Sequence, residues 1–403
     1  MIISKKTISA VLLFCICFLT FLGFYAVLMS VVNLLGNSGS RTITIPVRIL
    51  IVLFLLLYFL NNLSDFRRNS LTGVYVLFSI FYIFRLLYEY NVQESYYKSQ
   101  IEVMFYFFSF SFIPFLILSN FKLSTFKLDY IFKSFLYSGF FFCLLSLFNY
   151  GEYIGQVTRI GMESGEESTL NPLILSYNAS MIFGVFLFYW LYNKTNLLQK
   201  VLLFSGIVLS IIPFFLGASK GSLIAIFVVL FLNALYSSSA GRRIKFLTFF
   251  VVLFFIIIYL EQYFGGGLTD RFYKLQEDFD SGESSAVRLT IWKSSWNQFI
   301  DNPLFGDKLA VEGWKNYTHN IVLEVLQTTG IIGFIPFSVL LLTVLVYATR
   351  IMRFHKSYSW ISVIFVLSFI QTMFSSNLFT AAWFWTSMAI VISSYNFLFK
   401  KSI

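Results

Sequence analysis

The chain has 403 residues, of which 58% are hydrophobic, 21% aromatic and only 12% charged, with a net charge of +10. A soluble domain carries roughly 25% charged residues, so a soluble globular protein is excluded, and a disordered chain with it. The basic residues lie in short clusters between apolar runs, which argues against a nucleic-acid binder and for an all-α, polytopic membrane protein.

The N-terminus, "MIISKKTISAVLLFCICF", has the look of a signal peptide. Its apolar run continues to about Leu35 without a small-residue cleavage site, which predicts a retained first helix. From there, apolar runs of a length to cross a bilayer core of roughly 30 Å recur to the end. They predict about twelve spans, near 8–32, 43–60, 71–88, 101–119, 131–150, 171–192, 200–218, 220–237, 244–264, 319–347, 358–377 and 379–399. The whole chain, 1–403, reads as one integral membrane domain, and no inverted repeat of the transporter kind is visible. Cys15, Cys17 and Cys143 sit inside apolar runs, without disulfide or metal-ligand spacing.

Lys and Arg in short loops set the orientation. With both termini cytoplasmic, the inner segments hold 17 of the 29 basic residues and only two of the 19 acidic ones, Asp65 and Asp129. Two longer segments then fall outside. Residues 149–172 are rich in Gly and Glu and read as a loop. Residues 262–318 form a large periplasmic loop in which "RFYKLQEDFDSG" and "SAVRLTIWKSSWNQFIDNPLFG" show helical spacing. In the latter, Val287, Ile291, Trp292, Trp296, Phe299 and Ile300 mark an apolar face, which predicts a short amphipathic helix on the membrane surface or under a lid, stopped by Asn302-Pro303.

There is no H-E-x-x-H and no P-loop. "EDFDSGE", residues 277–283, reads as a solvated helix end rather than a metal site. What remains is a group of basic residues assigned to the outer face. Lys220 stands between Gly217 and Gly221 at a hairpin of two spans, Arg288 lies in "VRLTIW", Arg159 lies in the first outer loop, and His319 opens the tenth span. Cations at a helix mouth near lipid are costly unless paired or functional. Arg48 and Arg85 read as lying toward the outer ends of their helices. His355, among the cations of "RIMRFHKSYS", reads as a loop histidine on the opposite side.

The succession "GASKGSLIAIF", "VRLTIWKSSWNQFIDNPLFG" and "HNIVLEVLQTTGIIGF" resembles the bacterial O-antigen polymerase and O-antigen ligase family, over about residues 205–345. "TRIGMESGEESTLNP" resembles a looser element of that family. The resemblance implies a metal-independent glycosyltransferase without cofactor, working at the periplasmic face of the bacterial inner membrane. Its donor would be a glycan on undecaprenyl pyrophosphate, and a chain-length regulator protein is an expected partner. By the same resemblance, Lys220, Arg288 and Arg159 would hold the pyrophosphate and His319 would act as base on the acceptor hydroxyl. The family has Arg where this chain has Lys220, which keeps the charge and loses the bidentate fork. The spacing from Arg288 to His319 and the lysine at 220 favour a polymerase, which extends another lipid-linked repeat unit, over a ligase, which loads lipid A–core. A lipid-linked oligosaccharide flippase is the alternative of another class.

Overall fold

The computed structural model describes residues 4–35, 40–92, 98–155, 172–236, 240–264, 284–314 and 316–399. These residues are helical, with no strand and one isolated bridge, Phe66 to Phe121. In chain order the helices are α1 Lys5–Thr20, α2 Leu22–Leu35, α3 Ser40–Asn61, α4 Ser70–Val92, α5 Gln100–Asn120 and α6 Thr125–Tyr150. Then follow α7 Pro172–Tyr192, α8 Leu197–Gly217, α9 Lys220–Leu235, α10 Ala240–Phe264, α11 Ser284–Asp301, α12 Ile321–Phe354, α13 Ser359–Thr372 and α14 Ala382–Phe399.

Each expected span falls on a helix or a bent helix pair, but the number that can cross a membrane is smaller. Among the described residues, seven helices are long and apolar enough, or up to eight if α1 and α2, bent by 59°, form one span. α9 and α13 are shorter than that test requires. α13 also packs its polar groups inside the bundle. The helix has 14 residues and buries Ser362, Ser368 and Gln371. Their bonds go to neighbouring backbone and side chains: the Ser362 hydroxyl donates to the Ala348 carbonyl at 2.8 Å, and Gln371 donates to the Ser180 hydroxyl at 2.9 Å. A short helix surrounded by other helices satisfies its polar groups within the bundle rather than in water.

Between membrane helices lipid competes with side chains for apolar contact, so close packing and internal hydrogen bonds hold the bundle. Gly184 of α7 lies so close to α13 that a Cβ there would meet Leu367 at 2.9 Å and Val363 at 3.0 Å. Fully buried Trp385 gathers Tyr75, Phe78, Phe115, Phe337 and Phe384 around it and donates its indole N–H to the Leu378 carbonyl at 3.0 Å. One apolar core runs through the bundle from α1 to α14. Leu53, Leu60, Phe84 and Phe148 point outward and are more than half exposed, as side chains facing lipid do.

Of the two long segments expected on the outer side, residues 156–171 and 265–283 lie outside the described residues, and with them Arg159, "RFYKLQEDFDSG" and "EDFDSGE". The second predicted amphipathic helix is α11, and it ends at Asp301 where Asn302-Pro303 was expected to stop it. Its buried face differs from the expected one. Ile291, Ser295, Gln298 and Phe299 are buried, while Trp296 and Ile300 are about half exposed. The polar pair turns inward because Gln298 has bonds to make there. Its amide donates to Asp307 Oδ2 at 2.8 Å and to the Ala310 carbonyl at 3.2 Å, and its carbonyl accepts the Glu312 N–H at 2.9 Å.

Candidate functional site

His319 sits on a short turn just before α12. Asn320 caps that helix, accepting the N–H groups of Val322 and Leu323 at 3.1 Å each. The Thr318 hydroxyl donates to the Asn320 carbonyl at 2.9 Å and closes the turn. His319 itself takes a left-handed backbone, φ 58°. Ala218, two residues before Lys220, has φ 41°, and among the described residues these are the only non-glycine positions with positive φ. Such backbone costs about 1–3 kcal/mol and persists where surrounding structure holds it, most often at functional sites.

The imidazole is partly buried against the Tyr317 ring, with centroids 4.2 Å apart, and its Nδ1 finds no hydrogen-bond partner among the described residues. Burial and the nearby Arg288 guanidinium lower its pKa to about 4. The resting imidazole is therefore neutral at physiological pH, with a nitrogen free to accept a proton, though less basic than an unperturbed histidine. Burial also pushes the Tyr317 phenol up to about 12, so it stays protonated.

Arg288 lies in the first part of α11. One helical turn later, Trp292 donates its indole N–H to the Thr318 carbonyl at 2.9 Å. Residues four apart share a helix face, so this bond pins the Arg288 face of α11 beside the His319 turn. Two further devices hold the loop that follows α11. Gln327 of α12 donates to the Lys308 and Ala310 carbonyls at 3.0 and 3.1 Å. Arg85 of α4 donates Nε to the Asp307 carbonyl and approaches its carboxylate at 3.7 Å. Arg85 thus anchors the loop after α11.

The "NPLFG" stop and the paired glycines of "TTGIIG" meet physically. α12 breaks at Gly330, whose φ of 58° is not helical. The N–H groups freed there, of Ile331 and Ile332, donate to the carbonyls of Pro303 and Leu304 at 2.8 and 3.2 Å. Gly306 is equally confined, since a Cβ there would stand 2.5 Å from the Thr328 carbonyl carbon. Only glycine at 306 and 330 lets the loop enter the helix break. Glu324, quoted above only as part of a motif, is buried 54 residues from its partner: both carboxylate oxygens accept the Leu378 N–H at 3.1 Å.

Lys220 is the first residue of α9. The turn before it is braced by Ser176 of α7, whose hydroxyl donates to the Phe214 carbonyl at 2.8 Å and accepts the Ser219 N–H at 3.2 Å. Tyr177, next along α7, brings its hydroxyl to within 3.2 Å of where a Cβ on Gly221 would stand. Tyr177 and Tyr317 both line a cavity of about 210 Å³. That wall connects the start of α9 with the His319 turn.

The structure therefore places Arg288 and His319 together and sets Lys220 on the adjoining element through Tyr177; Arg159 lies outside the described residues. Sequence reasoning missed Tyr177, Tyr317 and Arg48. Arg48, read as lying toward the outer end of α3, is 2% exposed and enclosed in the bundle, on the cavity's wall. His355, which follows α12 at its other end, packs edge-on against Phe399. A larger cavity, about 590 Å³, lies away from this site and is bordered by Arg67, Arg68 and Lys122.

Residues 205–338 match a family described as O-antigen ligase. The matched third of the chain carries Lys220, Arg288 and His319, together with the loop that enters the break in α12. No curated protein matches the chain.

Proposed function

We propose that this chain, an all-helical membrane protein of the O-antigen polymerase and ligase type over residues 205–338, is an O-antigen polymerase. In this reading it transfers a glycan from undecaprenyl pyrophosphate to the sugar hydroxyl of another lipid-linked repeat unit, at the periplasmic face of the inner membrane. The observation that carries the reading is the pairing of Arg288 with a neutral, partly buried His319 across the Trp292–Thr318 bond.

The chemistry follows from what each group can do. The acceptor oxygen forms a bond to the anomeric carbon as the bond from that carbon to the pyrophosphate oxygen breaks. The electron pair leaves on the lipid pyrophosphate, and the hydroxyl proton passes to His319. The leaving group gathers negative charge, so fixed cations stabilise it. Arg288 offers a planar fork, and Lys220 offers a point charge at a helix N-terminus, where free N–H groups also favour an anion. An anion bound beside Arg288 offsets the field that lowers the His319 pKa, so the base strengthens when donor is present. Holding two lipid-borne reactants in one place supplies rate by proximity.

The test is complementation of a polymerase-deficient strain with His319→Ala, read on a lipopolysaccharide gel. The expected result is core capped with a single repeat unit. Bare core would mark a ligase instead, and a full ladder from a normally expressed variant would remove His319 from the chemistry.

A further inference from the structure

Arg48 is a buried arginine with no obvious structural use. It lies on the stripe of α3 that faces the bundle, in register with buried Ile51, Leu55, Tyr58 and Asn62. Its neighbours on the other face, Ile49, Leu50 and Leu53, are exposed. Eight residues into α3, it is about 12 Å along the helix at 1.5 Å per residue. An arginine at such depth is expensive and faces a partner or a pathway.

Its protein contacts are aromatic. The guanidinium carbon stands 4.5 Å from the Phe24 ring centroid and 3.3 Å from that of Phe110. Phe110 belongs to a π-helical turn, Phe107–Phe112, inside α5, a deformation found often at functional sites. Among the described residues Arg48 has no carboxylate within ion-pair distance and its Nε has no hydrogen-bond partner. Arg48 also lines the 210 Å³ cavity, with Tyr177 and Tyr317 on the wall shared with the Lys220 and His319 region and Ser375, Ser376 and Thr380 beside them. Ring faces hold a guanidinium in place but leave its planar fork of N–H donors unused, and that fork fits phosphate oxygens.

We propose that this cavity is a second phosphate site, with Arg48 holding the pyrophosphate of the acceptor lipid. The inference rests on the polymerase reading above, because a polymerase must hold two lipid pyrophosphates at once. The ligand chemistry is a phosphate-headed lipid. Its two sources are the acceptor and an ordinary anionic phospholipid.

The test uses the full chain in nanodiscs, undecaprenyl pyrophosphate as probe, and native mass spectrometry to count bound lipid. Wild type is expected to bind two per chain. Arg48→Met is expected to bind one, and a Lys220→Ala, Arg288→Ala double variant the other one. Arg48→Met should also raise the KM for acceptor at least tenfold and leave donor KM within twofold. If Arg48→Met does not fold, Ser375→Phe, which fills the cavity with Arg48 in place, is expected to lose the same lipid. Two lipids still bound to a folded Arg48→Met, or to Ser375→Phe, overturn the proposal. Displacement of the Arg48-dependent lipid by equimolar phosphatidylglycerol overturns the acceptor assignment. If the double variant keeps both lipids while Arg48→Met loses one, the cavity stands and the donor clamp of the polymerase reading falls.

Discussion

Two buried cations lie toward opposite ends of α3, Arg48 on the helix itself and Lys127 on α6 beside it, and they are treated differently. Lys127 packs at the C-terminal end, where its ammonium reaches Asn62 Oδ1 at 3.2 Å, the Lys122 carbonyl at 3.1 Å and Asp65 Oδ2 at 3.5 Å. Arg48, in the N-terminal half, meets two phenyl faces and a cavity. A buried cation whose acceptors are all supplied by the protein is a fastener. One whose donors face open space is shaped for a ligand. The site beyond Arg48 follows the second pattern, with a neutral His319 beside Arg288 at the edge of the same wall.

Substitutions sharpen or break that contrast. The largest effect is expected at His319→Ala, which should lower the transfer rate by about 10²–10⁴-fold, the range for losing a general base, while His355→Ala stays near wild type; both are read by turnover of lipid-linked repeat units. Arg288→Ala should lower turnover by about 10²–10³-fold, as for loss of one group stabilising developing charge, with Arg288→Lys recovering part of it. Gly330→Ala should destabilise the protein by about 1–3 kcal/mol, because its φ of 58° disfavours a side chain and a Cβ would meet the Leu304 carbonyl; thermal unfolding in detergent measures this. Lys127→Met should cost about 1–2 kcal/mol in the same assay, since Asp65 is half exposed and can be rehydrated, and should leave turnover per folded molecule unchanged. Arg48→Met should show the reverse, stability unchanged or raised. Equal stability losses for Arg48 and Lys127 would erase the distinction between them.

An effect absent at neutral pH concerns stability in acid. His319 has a folded pKa of about 4, depressed from 6.5. The folded state therefore resists protonation that the unfolded chain accepts. This contribution is fully present above pH 6.5 and is lost as pH falls toward 4. His319→Asn should flatten that part of the unfolding profile.

The parts of the site visible in the sequence were those whose chemistry stands in polar surroundings. His319, Arg288 and Lys220 stand out where apolar runs begin or stop, and the order of their motifs supplied the rest. The glycines at 306 and 330 were visible as motifs, but their meaning was not, because the break in α12 becomes intelligible only when the Pro303 and Leu304 carbonyls fill it. The burial of Arg48 was not legible, because a lone arginine in an apolar run does not show whether it faces the bundle. Its enclosure depends on Phe24 and on a π-helical turn in another helix. The helices were legible from hydropathy, whereas their power to span was not. α13 is apolar but only 14 residues long.

The most direct test of His319 as the base is single-turnover transfer in nanodiscs followed against pH, with wild type, Arg288→Gln and His319→Ala side by side. The predicted wild-type profile has an acid limb set by His319, at higher pH for the donor-bound enzyme than for the free enzyme. Arg288→Gln should shift the free-enzyme limb upward, because the nearby positive charge is gone. In His319→Ala the limb should vanish along with most of the rate. A His319→Ala protein that keeps the wild-type rate and the wild-type acid limb would contradict it.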